Sequence, residues 1–442
     1  MRPRARLCVA ALTFCLAGLV TVPAVRADGV PTVEPEVETP ALFDDDAGGN
    51  ANGDDPAIWV HPTRSGKSVV VATAKEGGLY AYGLNGGQLQ HVPAPPAPGE
   101  EDEPGRFNNV DLVYGFRLST GATADLAVVS DRGRDQIRFY AVDRTKAAQG
   151  RAPLTDLTDP AAPFVFNATQ EEVNEAQTAY GLATWQDATG VYALVSRRHT
   201  TRVALVKLTA APGGKVGYRL VRTLDLPGSF RLPDGTTWTP CAEPGELPQV
   251  EGMVVDADRD VLYAAQEDVG IWRMRADLTG TPVLVDRVRE YGRPDVYDPE
   301  TEECTPGADP GYGGEHLSAD AEGLTIYYGG DGDGYLIASS QGDDTFAVYD
   351  REKNDYIGRF RIGAGDGIDG AEHSDGAMVV NVPLGDRFDE GLFVTHDGAN
   401  TPEVPGEDGE TRENTDFKFV EWDDIAEELD IDVDTDGWNP RG

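Results

Sequence analysis

Cysteine and histidine are scarce in this chain, which has 4 cysteines and 6 histidines in 442 residues. No group of them has the spacing of a zinc site. Cys8 and Cys15 fall in a segment that we expect to be removed, which leaves Cys241 and Cys304 in loops rich in proline, glycine and glutamate. In an exported protein this pair predicts one disulfide bond between two loops, and two free thiols are the alternative.

Basic residues are also few, since 37 lysines and arginines face 77 acidic residues and the formal net charge is -40. Such a surface repels nucleic acids and anionic membranes, so neither is expected as a partner. It also repels phosphorylated small molecules unless cations intervene. Many carboxylates with little sulfur or histidine favour hard cations, above all calcium. A solvated acidic surface that binds nothing is the alternative explanation for many of these residues.

Long apolar segments are lacking after the N-terminus. Residues 1–6 contain three arginines, residues 7–22 are mostly apolar, and Val-Arg-Ala follows at 25–27. This order predicts a cleaved signal peptide at 1–27, and the apolar run is shorter than the roughly 20 residues of a spanning helix. A membrane anchor is the alternative. We therefore expect a secreted protein with a linker at 28–40, a folded domain at 41–429 and a solvated acidic tail at 430–442.

Short β-type runs separated by turns fill the remaining chain, which contains 52 glycines and 30 prolines. Six segments share one plan, an apolar run followed by a turn and further strands. Repeats of this length indicate the blades of an all-β, six-bladed β-propeller, and two β-sandwich domains are the alternative. The six segments begin at Asp54, Tyr114, Tyr180, Glu251, Glu322 and Asp375.

Acidic residues open several of these repeats. Equivalent positions in successive blades lie at one height around the propeller axis, so Asp55, Glu251, Glu322 and Asp375 should converge at one mouth of the channel, beside Tyr180. Carboxylates held that close disfavour being charged together, and a bound cation resolves the conflict. The sequence therefore predicts a metal site, unless each acid only caps its own local turn.

Seven motifs in order give the chain a family resemblance. It resembles the β-propeller phytases from about Asp54 to Trp422. The matching runs are DDPAIWVHP from Asp54, NNVD from Asn108, VEGM from Val250, DAEGLTIYY from Asp320, ASSQG from Ala338, SDG from Ser374 and GLFV from Gly391.

The resemblance implies a six-bladed, monomeric, secreted 3-phytase. Such an enzyme hydrolyses phytate, bound as its calcium complex, to lower inositol phosphates and phosphate through a calcium-activated water. Several calcium ions are expected as cofactors and calcium phytate as the substrate. By motif, the implied calcium ligands are Asp55, Glu251, Glu267, Asp320, Glu322, Gln341, Asp369 and Asp375, with Asp397 and Asn400 in a structural calcium loop.

The resemblance also assigns the residues that act on phosphate. Asp55, Glu251 and Glu322 would hold the nucleophile, and Lys75 and Arg132 would stabilise the phosphoryl group. The implied substrate-binding residues are Lys75, Arg132, Tyr180 and either Arg197 or Arg198.

The chain departs from the family at two places. Ser196-Arg197-Arg198-His199 differs from the usual motif, and Gln266 stands where an acid is usual. Two other functions remain open, a calcium-dependent propeller lactonase or esterase and a non-catalytic, calcium-stabilised binding propeller.

Overall fold

The computed structural model describes residues 29–406, 409, 411–436 and 438–441. The predicted signal peptide at 1–27 lies outside these residues. The fold below is that of the unit Pro31–Gly442. In the described part of the chain, no helix has the length and apolar character needed to cross a membrane.

Six antiparallel sheets follow one another along the chain, which confirms the predicted six-bladed β-propeller. Three short strands precede the first blade: β1 (Thr32–Val33), β2 (Val37–Glu38) and β3 (Leu42–Phe43). Blade 1 contains β4 (Pro56–Trp59), β5 (Val69–Thr73), β6 (Leu79–Gly83) and β7 (Gln88–Val92). Blade 2 contains β8 (Phe107–Arg117), β9 (Thr123–Asp131), β10 (Gln136–Val142) and β11 (Leu154–Asp156).

Blades 3 and 4 keep the same four-stranded order, and a hairpin lies between them. Blade 3 contains β12 (Ala179–Asp187), β13 (Gly190–Arg197), β14 (Arg202–Ala211) and β15 (Lys215–Asp225). The hairpin consists of β16 (Phe230–Arg231) and β17 (Thr237–Trp238). Blade 4 contains β18 (Val250–Asp256), β19 (Val261–Gln266), β20 (Gly270–Arg275) and β21 (Val283–Arg287).

Blades 5 and 6 complete the ring, after a second hairpin of β22 (Val296–Asp298) and β23 (Glu303–Thr305). Blade 5 contains β24 (Ala321–Tyr328), β25 (Gly334–Ser340), β26 (Thr345–Asp350) and β27 (Tyr356–Ile362). Blade 6 contains β28 (Ala377–Val380), β29 (Leu392–Asp397) and β32 (Asn414–Glu421), with the hairpin β30 (Val404–Pro405) and β31 (Thr411–Arg412) inserted before β32.

Helices are few and short in the residues that the structure describes. The α-helices are α1 (Arg144–Ala148), α2 (Gln170–Val173) and α3 (Trp422–Leu429), and 3-10 turns occupy Ser65–Lys67, Pro212–Gly214, Gly330–Gly332 and Gln341–Asp343. The helix α3 follows the last strand and buries Trp422, Ile425 and Ala426, at the spacing of one helix face.

The N-terminal strands close the ring. β1 pairs in parallel with β27 of blade 5, and β2 and β3 pair with β32 of blade 6. Residues 32–33 and 37–38, which the sequence analysis places in a linker, therefore belong to the sheets. A strand of two residues is too short to show a periodic sequence pattern, so the local sequence does not predict this pairing.

The inner strand of each blade is packed on both faces by neighbouring blades. All eight residues of β24 and all four of β4 are buried. Their sequences are therefore nearly continuous apolar runs rather than alternating ones, as expected for strands covered on both sides. One core cluster joins Val70 and Ala72 of blade 1 to Val394 and Phe419 of blade 6.

Blade 2 begins earlier than the repeat pattern predicts. Its inner strand β8 starts at Phe107, and Asn109 and Val110 line the channel together with Asp55 and Pro56 of blade 1. Tyr114, the predicted start, lies further along β8, where its hydroxyl accepts a hydrogen bond from the Val60 amide at 3.1 Å. The predicted start of blade 2 at Tyr114 is therefore wrong. The segment equivalent to the starts of the other blades is Asn108-Asn109-Val110, near the beginning of β8.

The predicted disulfide bond between Cys241 and Cys304 is present. Cys241 follows the hairpin β16–β17 and Cys304 lies in β23, so the bond joins the connections on either side of blade 4.

The C-terminal residues are packed, in contrast to the solvated tail expected at 430–442. The Trp438 ring stacks on Tyr328 with centroids 4.2 Å apart. The Arg441 guanidinium donates to the Val60 carbonyl and to Asp125, both at 2.7 Å. This segment crosses the end of the channel lined by the C-terminal halves of the inner strands, where a cavity of about 540 Å³ lies behind it.

Candidate metal and phosphate site

Three glutamates meet at the channel mouth formed by the starts of the inner strands. Glu251 lies in β18, Glu322 in β24, and Glu267 directly after β19. Their exposed fractions are 5%, 4% and 8%, and one carboxylate oxygen from each lies within 4.8 Å of the others. The predicted convergence of Glu251 and Glu322 is thus found, and the three side chains could hold a metal ion.

Glycines let the blades approach closely enough to make this cluster. A Cβ atom at Gly252 would lie 2.0 Å from the Glu322 carbonyl oxygen, and one at Gly181 would lie 2.0 Å from the Glu251 carbonyl oxygen. A side chain at either position would push neighbouring blades apart. The Glu-Gly repeat therefore combines a ligand with the close backbone contact that brings the next ligand near it.

The electrostatics of the cluster favour a cation. Burial and then the charge of Glu251 raise the pKa values of Glu267 and Glu322 well above their usual range, and burial and Asp375 raise that of Glu251. Among the described residues, Glu267 Oε1 and Glu322 Oε2 are buried and have no hydrogen-bond partner. Buried carboxylate oxygens of this kind require a proton or a cation. Clustered oxygen ligands suit a hard divalent ion such as calcium.

Further predicted ligands lie beside the glutamates. The Gln341 side-chain amide donates to Asp375 Oδ1 at 2.7 Å. Burial, followed by the charges of Glu251, Glu290 and Asp375, raises the pKa of Asp320 to about 6. Asp320, Gln341 and Asp375 are thus placed around the same mouth.

Asp54, which the sequence analysis does not select, faces this mouth. Its carboxylate lies 3.9 Å from Lys75 Nζ, it is 1% exposed, and its Oδ1 has no hydrogen-bond partner in the part of the chain that the structure describes. Burial and then Glu251 raise its pKa well above the usual range. The carboxylate of Asp55 instead accepts a hydrogen bond from the Val110 amide at 2.9 Å and joins blade 1 to blade 2. Adjacent residues of an extended chain point to opposite sides, so only one of the two can face the ligands.

Basic side chains border the carboxylates. Lys75 Nζ lies 3.4 Å from Asp375 Oδ2. The Arg132 guanidinium lies over the Tyr180 ring, 5.5 Å from its centroid, and the Tyr180 hydroxyl donates to Glu251 Oε2 at 2.6 Å. Lys75, Arg132 and Tyr180 therefore stand where an anion held by the metal cluster would reach them.

The two adjacent arginines of blade 3 point to different places. Arg197 donates to the Gln177 carbonyl and to Asn167 Oδ1, both at 2.9 Å, and so holds a loop. Burial and then the charge of Arg132 lower the pKa of Arg198. The charge of Arg198 therefore interacts with that of Arg132, whereas Arg197 is held by the loop.

Arg106 is a further cationic side chain near Arg132. Sequence reasoning missed it. Its carbonyl accepts the Arg132 amide at 2.8 Å, and its guanidinium pairs with Glu76 at 2.5 Å. The motif comparison gave no reason to select it, because its place depends on the contact between blades 1 and 2.

Asp369, Asp397 and Asn400 form a separate group in blade 6, around Lys418. The Lys418 ammonium contacts Asp369, lies 3.3 Å from Asp397 Oδ2 and donates to Asn400 Oδ1 at 2.9 Å. Asp416 also pairs with it at 3.1 Å. Asp369 was predicted among the calcium ligands with the glutamates but lies here, because the loop between β27 and β28 places it against Lys418 and the Thr401 amide. A metal ion in the predicted structural calcium loop would share these oxygens with Lys418.

Gln266 points away from the glutamates. Its amide donates to the Pro248 carbonyl at 2.8 Å and accepts from the Trp272 indole at 2.9 Å. The Gln266 side chain is part of the core of blade 4 and is not placed to act as a metal ligand.

The chain is thus a six-bladed propeller that has buried, uncompensated carboxylates and neighbouring cationic side chains at one mouth. These features place it in a class of propeller proteins that can bind a metal ion and an anion together. The chain belongs to the phytase family, whose model matches residues 5–227 and 304–442.

One curated relative agrees with this family. The 3-phytase of Bacillus subtilis (strain 168) is 34% identical over 388 residues, which cover 87% of this chain and 82% of that protein. A solved β-propeller domain, that of Myceliophteria thermophila Cps50 (Swd1), aligns over 83% of both chains with 10% identity and a TM-score of 0.36. That similarity is too distant to bear on the site.

Proposed function

We propose that this protein is a secreted, calcium-dependent 3-phytase that hydrolyses phytate, presented as its calcium complex, to lower inositol phosphates and phosphate. The observation that carries the proposal is the set of buried glutamates Glu251, Glu267 and Glu322 beside Lys75 and Arg132. Among the described residues, Glu267 and Glu322 each keep an oxygen without a hydrogen-bond partner. The family supports the substrate, because the Bacillus subtilis relative is described as a 3-phytase.

The carboxylates would hold calcium. Glu251, Glu267 and Glu322 form the centre of the proposed ligand set, with Asp320, Gln341 and Asp375 around them. From its position we add Asp54 and propose that Asp55 acts mainly as a contact between blades. Bound calcium would reverse the local negative charge and lower the pKa of a coordinated water.

The basic residues would hold the phosphate group. Lys75 and Arg132 are placed to donate to phosphate oxygens and to stabilise charge that develops on them. We assign Arg198 rather than Arg197 to the same role, since Arg197 is committed to Asn167 and Gln177. Tyr180 orients Glu251 through its hydroxyl and supports Arg132 with its ring. Anchoring one phosphate while its neighbour reacts is a positioning effect.

Secretion and a monomeric state complete the proposal. A disulfide bond between two loops is typical of exported proteins.

Phosphate release from phytate, measured with calcium and with excess chelator beside a lactone substrate, tests the function. We expect release only with calcium and no lactone hydrolysis. Lactone hydrolysis without phosphate release would favour the propeller lactonase, and neither activity would favour a binding propeller. Release that persists in chelator, with no calcium left in the protein, would contradict the calcium mechanism.

A further inference from the structure

Asn108 lies between the two halves of the site. It is in β8 and is fully buried. Its side-chain nitrogen donates to Glu251 Oε1 at 2.5 Å, and its side-chain oxygen accepts from Arg132 Nη1 at 2.9 Å. One amide therefore connects a carboxylate of the metal cluster with a guanidinium of the phosphate group.

The orientation of this amide is fixed by its partners. A guanidinium offers only donors and an ionised carboxylate only acceptors, so oxygen must face Arg132 and nitrogen must face Glu251. The same nitrogen also donates to Asn109 Oδ1 at 2.9 Å. The backbone is held as well, since the Asn108 carbonyl accepts the Thr73 hydroxyl of blade 1. The Asn108 amide therefore cannot rotate without breaking its bonds to Asn109 and Arg132 of blade 2 and to Glu251 of blade 4.

Glu251 and Arg132 have few other restraints near the site. Glu251 Oε2 accepts from the Tyr180 hydroxyl at 2.6 Å, so Asn108 and Tyr180 together fix both oxygens. Arg132 has the Tyr180 ring on one side and Asn108 as its hydrogen-bonded side-chain partner. Loss of Asn108 would remove one restraint from each side chain and leave Tyr180 as the remaining one.

We propose that Asn108 is a positioning residue that couples the metal-binding carboxylate of Glu251 to the phosphate-binding guanidinium of Arg132. The inference rests on the proposed function. By holding the two groups at one separation, Asn108 lets an anion that meets Arg132 also meet the cation held by Glu251. Binding of calcium and binding of phosphate then strengthen each other, and such coupling is reciprocal.

The test compares Asn108→Ala with Asn381→Ala. Asn381 is a matched control because it is also a fully buried asparagine, bonded to the Tyr328 and Asp434 carbonyls in another part of the propeller. In Asn108→Ala we expect the KM for calcium phytate and the half-activating calcium concentration each to rise about tenfold or more, the scale of losing a buried hydrogen bond to a charged group. Asn381→Ala should lower the melting temperature and leave both constants within about twofold.

A double-variant cycle separates positioning from simple destabilisation. If Asn108 acts through Arg132, then Asn108→Ala should raise the KM far less in an Arg132→Ala background than in the wild type. Additive effects on the KM would overturn the proposal, as would unchanged KM and half-activating calcium in Asn108→Ala.

A second variant covers the case in which Asn108→Ala does not fold. Asn108→Asp keeps the shape and the acceptor for Arg132 but removes the donor to Glu251. We expect the half-activating calcium concentration to shift by about threefold or more, because the donor to Glu251 is replaced by a negatively charged acceptor, and the KM at saturating calcium to stay within about twofold, because the acceptor for Arg132 is kept. An unchanged calcium requirement in Asn108→Asp would overturn the proposal. A wild-type protein that releases no phosphate from calcium phytate would instead overturn the proposed function, and this inference with it.

Discussion

The site's chemistry depends, at the scale of single residues, on carboxylates that are buried without a counter-charge. Glu251 has a partner for each oxygen, Asn108 and Tyr180, whereas Glu267 and Glu322 each retain an oxygen to which no described residue bonds. Glu251 is thus the most rigidly held of the three. A ligand held in place by its neighbours is preorganised for a metal ion, and it also supplies a negative charge.

Replacing Glu251 with glutamine tests the importance of that charge. Glu251→Gln keeps the size of the side chain and one coordinating oxygen but removes a negative charge, so binding of the cation weakens. We expect turnover on calcium phytate to fall by at least about a hundredfold, comparable with losing a main electrostatic element of an active site. Kinetics at saturating calcium check this.

Glu302→Gln is the control, because Glu302 is an exposed residue of the loop before Cys304. It should be nearly silent, since surface substitutions usually change little. Near-normal turnover in Glu251→Gln as well would mean that the converging carboxylates are not the active site.

Asp54 and Asp55 give a second test at this scale. Asp54→Asn should lower turnover by about a hundredfold and raise the half-activating calcium concentration, because its carboxylate faces Lys75 and the glutamates. Asp55→Asn keeps an acceptor for the Val110 amide and should mainly lower the melting temperature. The reverse result, with Asp55→Asn the inactive variant, would restore Asp55 as the ligand.

This pair also shows what sequence could predict about the site. The motif DDPAIW identified the segment that supplies a carboxylate, and the Glu-Gly repeat predicted that Glu251 and Glu322 converge. The choice between two adjacent acids depends on which side of the strand faces the axis, and a shift of one residue reverses that choice. Asn108 and Lys418 were missed because their roles come from contacts between blades or strands distant in sequence.

At the scale of elements, the Cys241–Cys304 bond joins the two connections that contain the inter-blade hairpins. The bond closes a loop with a sequence separation of 63 residues that contains blade 4. A cross-link of this kind restricts the unfolded chain and contributes about 2–4 kcal/mol. It lies in the connections around blade 4, whereas the ligands lie at the starts of inner strands.

The paired variant Cys241→Ser, Cys304→Ser should therefore lose stability and keep its turnover. We expect its free energy of unfolding to fall by about 2–4 kcal/mol and its kcat to stay within about twofold. Thiol titration of the denatured mature protein should find no free thiol until reductant is added. Two titratable thiols without reductant would show that the bond does not form.

Strands could be predicted from the sequence where their local pattern was strong. The prediction failed where it depended on the register of a strand. β24 and β25 have the apolar runs and turn residues that mark a blade. β8 is 11 residues long and contains register shifts between Phe107 and Val110 and between Val113 and Phe116. Its Tyr114-Gly115 resembles Tyr180-Gly181 of blade 3, and this similarity moved the predicted start of blade 2 to the wrong end of the strand.

Both chain ends hold the ring together, at the scale of the whole molecule. The N-terminal strands complete blades 5 and 6, and the C-terminal segment connects Tyr328 of blade 5 with Val60 and Asp125 near blades 1 and 2. Arg441 also lies 4.5 Å from the Tyr114 ring centroid. These contacts occur away from the glutamates, so they should affect stability rather than catalysis.

Removing the C-terminal contacts tests this role. Trp438→Ala and Arg441→Ala should each lower the free energy of unfolding by about 1–2 kcal/mol, because each loses a ring contact and Arg441 also loses bonds to Val60 and Asp125. Arg202→Ala is the control, since Arg202 pairs with Asp225 in an exposed salt bridge, which is worth little. Unchanged stability in both C-terminal variants would mean that the segment only rests on the surface.

The dependence of stability on pH follows from the same buried acids. In the calcium-free protein, burial and neighbouring acids raise the pKa of Asp268 to about 7 and those of Glu267 and Glu322 well above the usual range. The folded protein then binds more protons than the unfolded chain, so these groups make the free energy of unfolding fall as pH rises. Burial lowers the pKa values of His199 and His396 to about 4, and these histidines have the opposite effect below about 6.5.

The acids should therefore dominate between about pH 6.5 and 8. In chelator, we expect the melting temperature to fall as pH rises across this range. Calcium binds the ionised carboxylates of the folded state only, so saturating calcium should raise the melting temperature most at the upper end; calcium at a hundred times its dissociation constant adds about 2.7 kcal/mol. Thermal unfolding with and without calcium at each pH measures both effects.

Glu322→Gln separates the acid cluster from the acidic surface as the cause. This variant removes one buried acid and leaves the rest of the surface charge in place, so its calcium-free melting temperature should be higher than that of the wild type near pH 8 and should fall less with pH. Its gain from calcium should be smaller, because one ligand is weakened. If Glu322→Gln instead kept the full slope and the full gain, the pH dependence would arise from general repulsion among surface charges, and the three glutamates would not form the site that calcium stabilises.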